Sequence, residues 1–208
     1  MDEPTATPSP WLNAREFFFN ALLAAFFLYL AFNFLSEYQR TERLSSLLFV
    51  IFELIVVVVA FIRRAPKAVS WNALDWVYTA LGSVLPLLLY PAPGEPNWFW
   101  FAVQCVGETI SVLGIFTLNR SFGAVPANRG IKTVGLYHVV RHPIYCGYTL
   151  VDIAMVMQNF STRNICLAIA HLIVQTLRIL SEERLLLQDP SYAEYAARVK
   201  WRLLPGVW

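Results

Sequence analysis

The chain has 208 residues, 57% of them hydrophobic, 15% aromatic and only 14% charged. A soluble domain carries about 25% charged residues, and a chain of this size cannot bury so much apolar surface in one core. The composition excludes a disordered chain, a basic nucleic-acid-binding protein and an ordinary soluble enzyme, and the net charge of +2 adds nothing as a total. It predicts a membrane protein.

In chain order, residues 1–16 read as a flexible tail, with Pro4, Pro8 and Pro10 and with Asp2 and Glu3 where a signal peptide would be basic. The next apolar stretch exceeds a signal core, so it reads as a retained anchor. Crossing a bilayer takes about 20 mostly apolar residues. Six stretches qualify as expected spans: between Glu16 and Glu37, Leu44 to Ile62, Trp71 to Tyr90, Trp98 to Leu118, Ile144 to Phe160, and Arg163 to Leu180. Five is the fallback if the last two form a short hairpin. Period-two alternation is absent, which argues against an outer-membrane barrel. The predicted fold is an all-α polytopic transmembrane bundle. Residues 17–118 form a four-helix anchor and substrate-access region, and residues 119–208 form the core that carries the chemistry.

Basic residues orient the bundle. Arg63, Arg64 and Lys67 follow the second span. Arg120, Arg129, Lys132 and Arg141 follow the fourth, and Arg184, Arg198, Lys200 and Arg202 lie in the tail. The loop from Pro91 to Asn97 has none. Both termini are therefore expected in the cytoplasm, and an inner or plasma membrane of a prokaryote is the expected location.

Two polar regions stand out, Asn119 to Gly147 and Arg178 to Trp208. In the first, Pro143 suits the first turn of a helix, so Arg141 and His142 stand at a helix N-terminus that favours anions. Arg141 could bind a carboxylate in two-point fashion. The bland reading is a helix start touching lipid headgroups. His138, His142 and Cys146 have metal-like spacing, but Pro143 breaks the register and no fourth ligand is near, so no metal site is expected. In the second region, Asp189-Pro190 reads as a cap and first turn. Tyr192, Tyr195, Ala196, Val199 and Leu203 then form one apolar face that could lie on the membrane or close over a pocket. Glu53, Glu108, Asp152 and His171 fall near the middles of their spans, where each costs about 3 kcal/mol unless paired or hydrated. Structural pairing, Glu108–His171 or Asp152–His171, is the simplest account. Gly107, Ser111 and Gly114 would admit a close neighbouring helix.

Gly135-Leu136-Tyr137, then Arg141-His142-Pro143-Ile144-Tyr145-Cys146-Gly147, then Glu182-Glu183 and Arg202-Leu203-Leu204-Pro205-Gly206 occur in order. This arrangement resembles the membrane methyltransferases related to isoprenylcysteine carboxyl methyltransferase and to phospholipid N-methyltransferases. The resemblance covers about Asn119 to Trp208 and implies S-adenosylmethionine as cofactor in a cytosol-facing pocket. It implies that Tyr137, His142, Pro143, Tyr145 and Gly147 line that pocket and that Glu182 and Glu183 bind the polar parts of the cofactor. Arg141 would engage a carboxylate and Arg202 would close the site, which makes these two the expected catalytic residues. The implied partner is a lipophilic or lipid-attached acceptor reached among membrane lipids, with no nucleic acid. No two of the nine glycines are two apart, so a Rossmann-type Gly-x-Gly is absent. Two other readings remain open: an NADPH-dependent membrane reductase of an isoprenoid or sterol-like substrate, and a non-catalytic membrane subunit or transporter.

Overall fold

The computed structural model describes residues 10–89 and 97–208. The expected tail residues 1–9 and most of the acidic loop after the third span lie outside them. Helix α1 spans Pro10–Thr41 and α2 spans Leu44–Ile62. Glu42, with φ 56°, makes the tight reversal between them. The pair packs through aromatic and branched side chains, with Phe27, Leu30 and Phe34 of α1 against Phe49, Phe52, Val56 and Val59 of α2. The Phe34 and Phe49 rings stack at 4.6 Å.

Helix α3, Ala73–Val84, starts on Asn72, whose side chain accepts from the Leu74 N–H. It tightens into a 3-10 turn over Leu85–Leu88, where Pro86 has no N–H to continue an α-helical ladder. Helix α4, Trp98–Leu118, is capped by Asn97. A connection of more than twenty residues leads to α5, Pro143–Gln158, with Pro143 at its first turn as its sequence requires. Ser161 caps α6, Thr162–Leu186, so α5 and α6 form a hairpin. Asp189 caps α7, Pro190–Arg198, and accepts from the Ser191 N–H at 3.0 Å.

The expected all-α bundle stands. Four helices are long and apolar enough to cross a membrane, over Phe17–Thr41, Leu44–Ile62, Trp98–Ser121 and Thr162–Leu186. The expected third and fifth spans are shorter as helices, 12 and 16 residues for α3 and α5. Phe17, Phe32, Val58, Phe116 and Ile173 point outward from the long helices and are more than half exposed. A band of this kind belongs in lipid, not water. The chain is a multi-pass integral membrane protein.

Two contacts position the site. First, α4 and α5 approach at backbone distance. A Cβ on Gly107 would lie 2.8 Å from the Gly147 carbonyl oxygen, and one on Gly114 would lie 2.7 Å from Ile144 Cγ1. A Cβ on Gly147 would collide with Ser111 Oγ and the Gly107 carbonyl. The small residues of α4 thus admit α5, as their spacing predicts. Second, the loops on the α5 N-terminal side are tied together. Strands β1, Ala68–Val69, and β2, Ala127–Asn128, pair antiparallel. Arg64 N–H donates to the Arg120 carbonyl at 2.7 Å.

Candidate functional site

The connection from α4 to α5 ends in a 3-10 turn, Gly135–His138, opened by Gly135 at φ +59°, where only glycine is unstrained. This turn buries Tyr137 against Leu186, Tyr192, Tyr195 and Val199. The Tyr195 hydroxyl donates to the Tyr137 carbonyl at 2.6 Å. The apolar face of α7 therefore closes over the protein instead of lying on lipid. Burial raises the phenol pKa of Tyr137, Tyr192 and Tyr195, the last to about 12, so all three stay neutral hydroxyls at physiological pH. The buried Tyr192 hydroxyl has no hydrogen-bond partner among the described residues.

Glu183, buried on α6, organises the residues that precede α5. Its Oε1 lies 2.8 Å from Arg141 Nε and 3.2 Å from His142 Nε2, and its Oε2 accepts from Arg202 Nε at 2.7 Å. The backbone reinforces the arrangement. Arg141 N–H donates to the Trp201 carbonyl and His142 N–H to the Arg202 carbonyl, each at 2.9 Å. Arg202 also stacks over the Trp208 ring at 5.1 Å. The motif residues Arg141, His142 and Arg202 thus meet around one buried carboxylate, that of Glu183.

The adjacent Glu182 faces a cavity. Its Oε2 accepts from the Tyr145 hydroxyl at 3.2 Å. Four residues earlier, on the same face of α6, Arg178 lies 5.3 Å from the Tyr145 ring centroid and lines the same cavity. Among the described residues Arg178 donates only to neutral acceptors, Gln175 Oε1 at 3.0 Å and the Ala124 carbonyl at 3.2 Å. A polar chain continues into the membrane region. The Gln175 amide lies 2.7 Å from His171 Nε2, and His171 Nδ1 lies 2.7 Å from Asp152 Oδ2. Of the two midspan pairs the sequence allows, the structure forms Asp152–His171.

The cavity has two characters. Tyr137, Arg141, His142, Tyr145, Arg178, Glu182, Tyr192 and Tyr195 line its polar end. Phe27, Phe34, Phe49, Phe52, Val56 and Val151 line an arm that reaches α1 and α2, where Glu53 and Glu108 also face it. An aromatic series joins the two ends: His142–Tyr145 at 5.7 Å, Tyr145–Tyr148 at 6.0 Å and Tyr148–Phe52 at 5.7 Å between centroids.

Of the residues expected in the site, Tyr137, Arg141, His142, Tyr145 and Glu182 reach the cavity wall. Arg202 and Glu183 stand behind it as a latch. Pro143 starts α5, and Gly147 makes the helix contact with Ser111 and Gly107. Sequence reasoning passed over Arg178. Its four-residue spacing from Glu182, which puts both on one helical face, was the available signal.

Residues 100–188 match the model of the isoprenylcysteine carboxyl methyltransferase (ICMT) family. The chain is 30% identical over 86 residues to protein-S-isoprenylcysteine O-methyltransferase A of Arabidopsis thaliana, a match covering 38% of this chain and 44% of that protein. The match thus spans less than half the length of that curated relative. The fold is similar to that of the eukaryotic intramembrane Ras methyltransferase ICMT, with a TM-score of 0.53 and 18% identity, covering 91% of this chain and 74% of that one.

Proposed function

We propose that this chain, whose residues 100–188 match the model of the isoprenylcysteine carboxyl methyltransferase family, is an S-adenosylmethionine-dependent methyltransferase that esterifies the carboxylate of a lipophilic acceptor. The observation that carries the reading is a single cavity joining a charged end at Arg178, Arg141 and Glu182 to a phenylalanine-lined arm between membrane helices. Residues 119–208 supply the cofactor side, and residues 17–118 the acceptor side. Both termini and the cofactor side lie in the cytoplasm on this reading. The pairing of the basic loop after α2 with the basic loop after α4 supports that orientation.

The residues present suit a zwitterionic amino-acid cofactor. Glu182 offers a carboxylate to an ammonium or ribose hydroxyls, Tyr192 has a hydroxyl to spare, and Arg141 has a guanidinium on the cavity wall. When bound, S-adenosylmethionine supplies an electrophilic methyl group on sulfur. The protein must align an acceptor with it and keep water out. A carboxylate is ionised at neutral pH and needs no general base. It needs a cation that holds it without consuming its nucleophilicity. Arg178 fits this role better than Arg141 or Arg202, because its hydrogen bonds go to neutral groups while the other two share Glu183. Glu183 holds Arg141, His142 and Arg202 as one wall, and α7 roofs the site with Tyr192 and Tyr195.

The test is methyl transfer from labelled S-adenosylmethionine to an S-farnesyl thioether carboxylate by purified protein in lipid nanodiscs. A base-labile methyl ester is the expected product. Arg178→Ala should lower kcat/KM on the order of 100-fold, with cofactor affinity by calorimetry changed little. Absence of cofactor binding in the wild-type protein would overturn the proposal.

A further inference from the structure

We infer that Gln175 on α6 is a positioning residue that holds the Arg178 guanidinium at the cavity wall without neutralising its charge, and that Asp152, His171 and Gly82 fix Gln175 in that role. The inference rests on the reading of Arg178 as the carboxylate-binding cation and names the groups that keep it available.

A cation on a cavity wall has to be held by something. An acid would hold it most strongly but would also pair with it. Arg178 is held instead by two neutral oxygens, Gln175 Oε1 and the Ala124 carbonyl, which take two of its five N–H groups.

Gln175 is itself held. Its oxygen accepts from Arg178 Nη1 at 3.0 Å, so its NH2 group faces His171 Nε2 at 2.7 Å. Nε2 then accepts, and the ring proton sits on Nδ1, 2.7 Å from Asp152 Oδ2. Nε2 also lies 2.9 Å from the Gly82 carbonyl, which a proton on Nε2 would serve instead. Arg178 disfavours that alternative. An amide turned over to accept from Nε2 would aim its N–H groups at a guanidinium, which has no acceptor. The Asp152 carboxyl on α5 thus sets the imidazole, the imidazole sets the amide, and the amide sets the guanidinium. Any charge on Asp152 reaches Arg178 only across two intervening groups.

Helix α3 closes the other side. A Cβ on Gly82 would lie 2.8 Å from Arg178 Nη1 and 3.4 Å from Gln175 Oε1. Gly82 lines the cavity together with Arg178 and Gln175. The bare backbone of α3 therefore sets where the guanidinium stands, and any side chain at 82 would displace it.

The test compares N-acetyl-S-farnesyl-cysteine with its carboxamide, which share the tail and the acylated amine and differ in the carboxylate. Affinities are measured by calorimetry at neutral pH on the full chain in nanodiscs. The acid should bind about 30-fold tighter than the amide to the wild type, and Arg178→Ala should bring this ratio to about 1. Gln175→Glu keeps the shape and the acceptor but pairs with Arg178, so the ratio should also fall to about 1. Gly82→Ala leaves every polar group in place and should lower it to about 5. A merely structural role would weaken both compounds alike and leave the ratio unchanged. A wild-type ratio that survives in Gln175→Glu but not in Arg178→Ala overturns this inference alone. Should Gln175→Glu fail to fold, an unchanged ratio in Gly82→Ala overturns it equally. If the wild type does not prefer the acid, or Arg178→Ala keeps the preference, the reading of Arg178 fails and this inference fails with it.

Discussion

Glu183 and Glu53 are buried to nearly the same degree, 4% and 7% exposed, yet their surroundings are opposite. Glu183 sits where α6 reaches the loop and tail, and Arg141, His142 and Arg202 converge on it. Glu53 sits midway along α2 with a phenylalanine-lined cavity before it and an oxygen that no donor among the described residues reaches. Asp152 is intermediate, a midspan acid with one imidazole at 2.7 Å. A carboxylate surrounded by protein cations holds the fold together. One that faces a cavity without a cation among the described residues contributes no ion pair to the fold. Burial alone does not separate these roles; the partner count does.

Neutralising the three acids in turn should sharpen the contrast. Glu183→Gln leaves two guanidinium groups without their counter-charge and should cost about 3 kcal/mol. A lower unfolding midpoint, with increased protease access to the tail, would register it. Asp152→Asn loses one charge-assisted bond while keeping the shape, at a cost of about 1 kcal/mol. It should also loosen Gln175 and Arg178, seen as faster hydrogen exchange in α6. Glu53→Gln should leave the midpoint nearly unchanged, since Glu53 forms no ion pair among the described residues and glutamine keeps its shape. A fall in midpoint for Glu53→Gln as large as that for Glu183→Gln would break the comparison, because Glu53 would then be structural.

Much of this was legible in the sequence because membrane helices are written in composition. The low charge content, the apolar runs and the cap at Asp189 are local signals, and α7 begins where that cap stands. What failed to show was pairing at a distance. Arg141 and Arg202 look like free catalytic cations in a motif, and only the fold brings both to Glu183. The resemblance puts Gly147 in the pocket lining, but Ser111 and Gly107 stand against its Cα. Arg178 sits in an apolar helix with nothing local to mark it beyond its spacing from Glu182. The choice between Glu108 and Asp152 as partner of His171 depended on helix rotation, which a single sequence does not encode. The two-residue strands β1 and β2 are too short to leave a pattern.

The two backbone hydrogen bonds from Arg141 and His142 to Trp201 and Arg202 bridge about 60 residues of chain. They lie outside the apolar packing that holds α1 to α6 together. Opening them would uncover the Glu183 cluster and one wall of the cavity without unpacking a membrane helix. The protein is thus expected to open in two units, a bundle set by lipid and a peripheral clasp held by these polar contacts and by the apolar cluster of Tyr137, Leu186, Tyr192, Tyr195 and Val199. Exchange of a water-soluble ligand need only disturb the second.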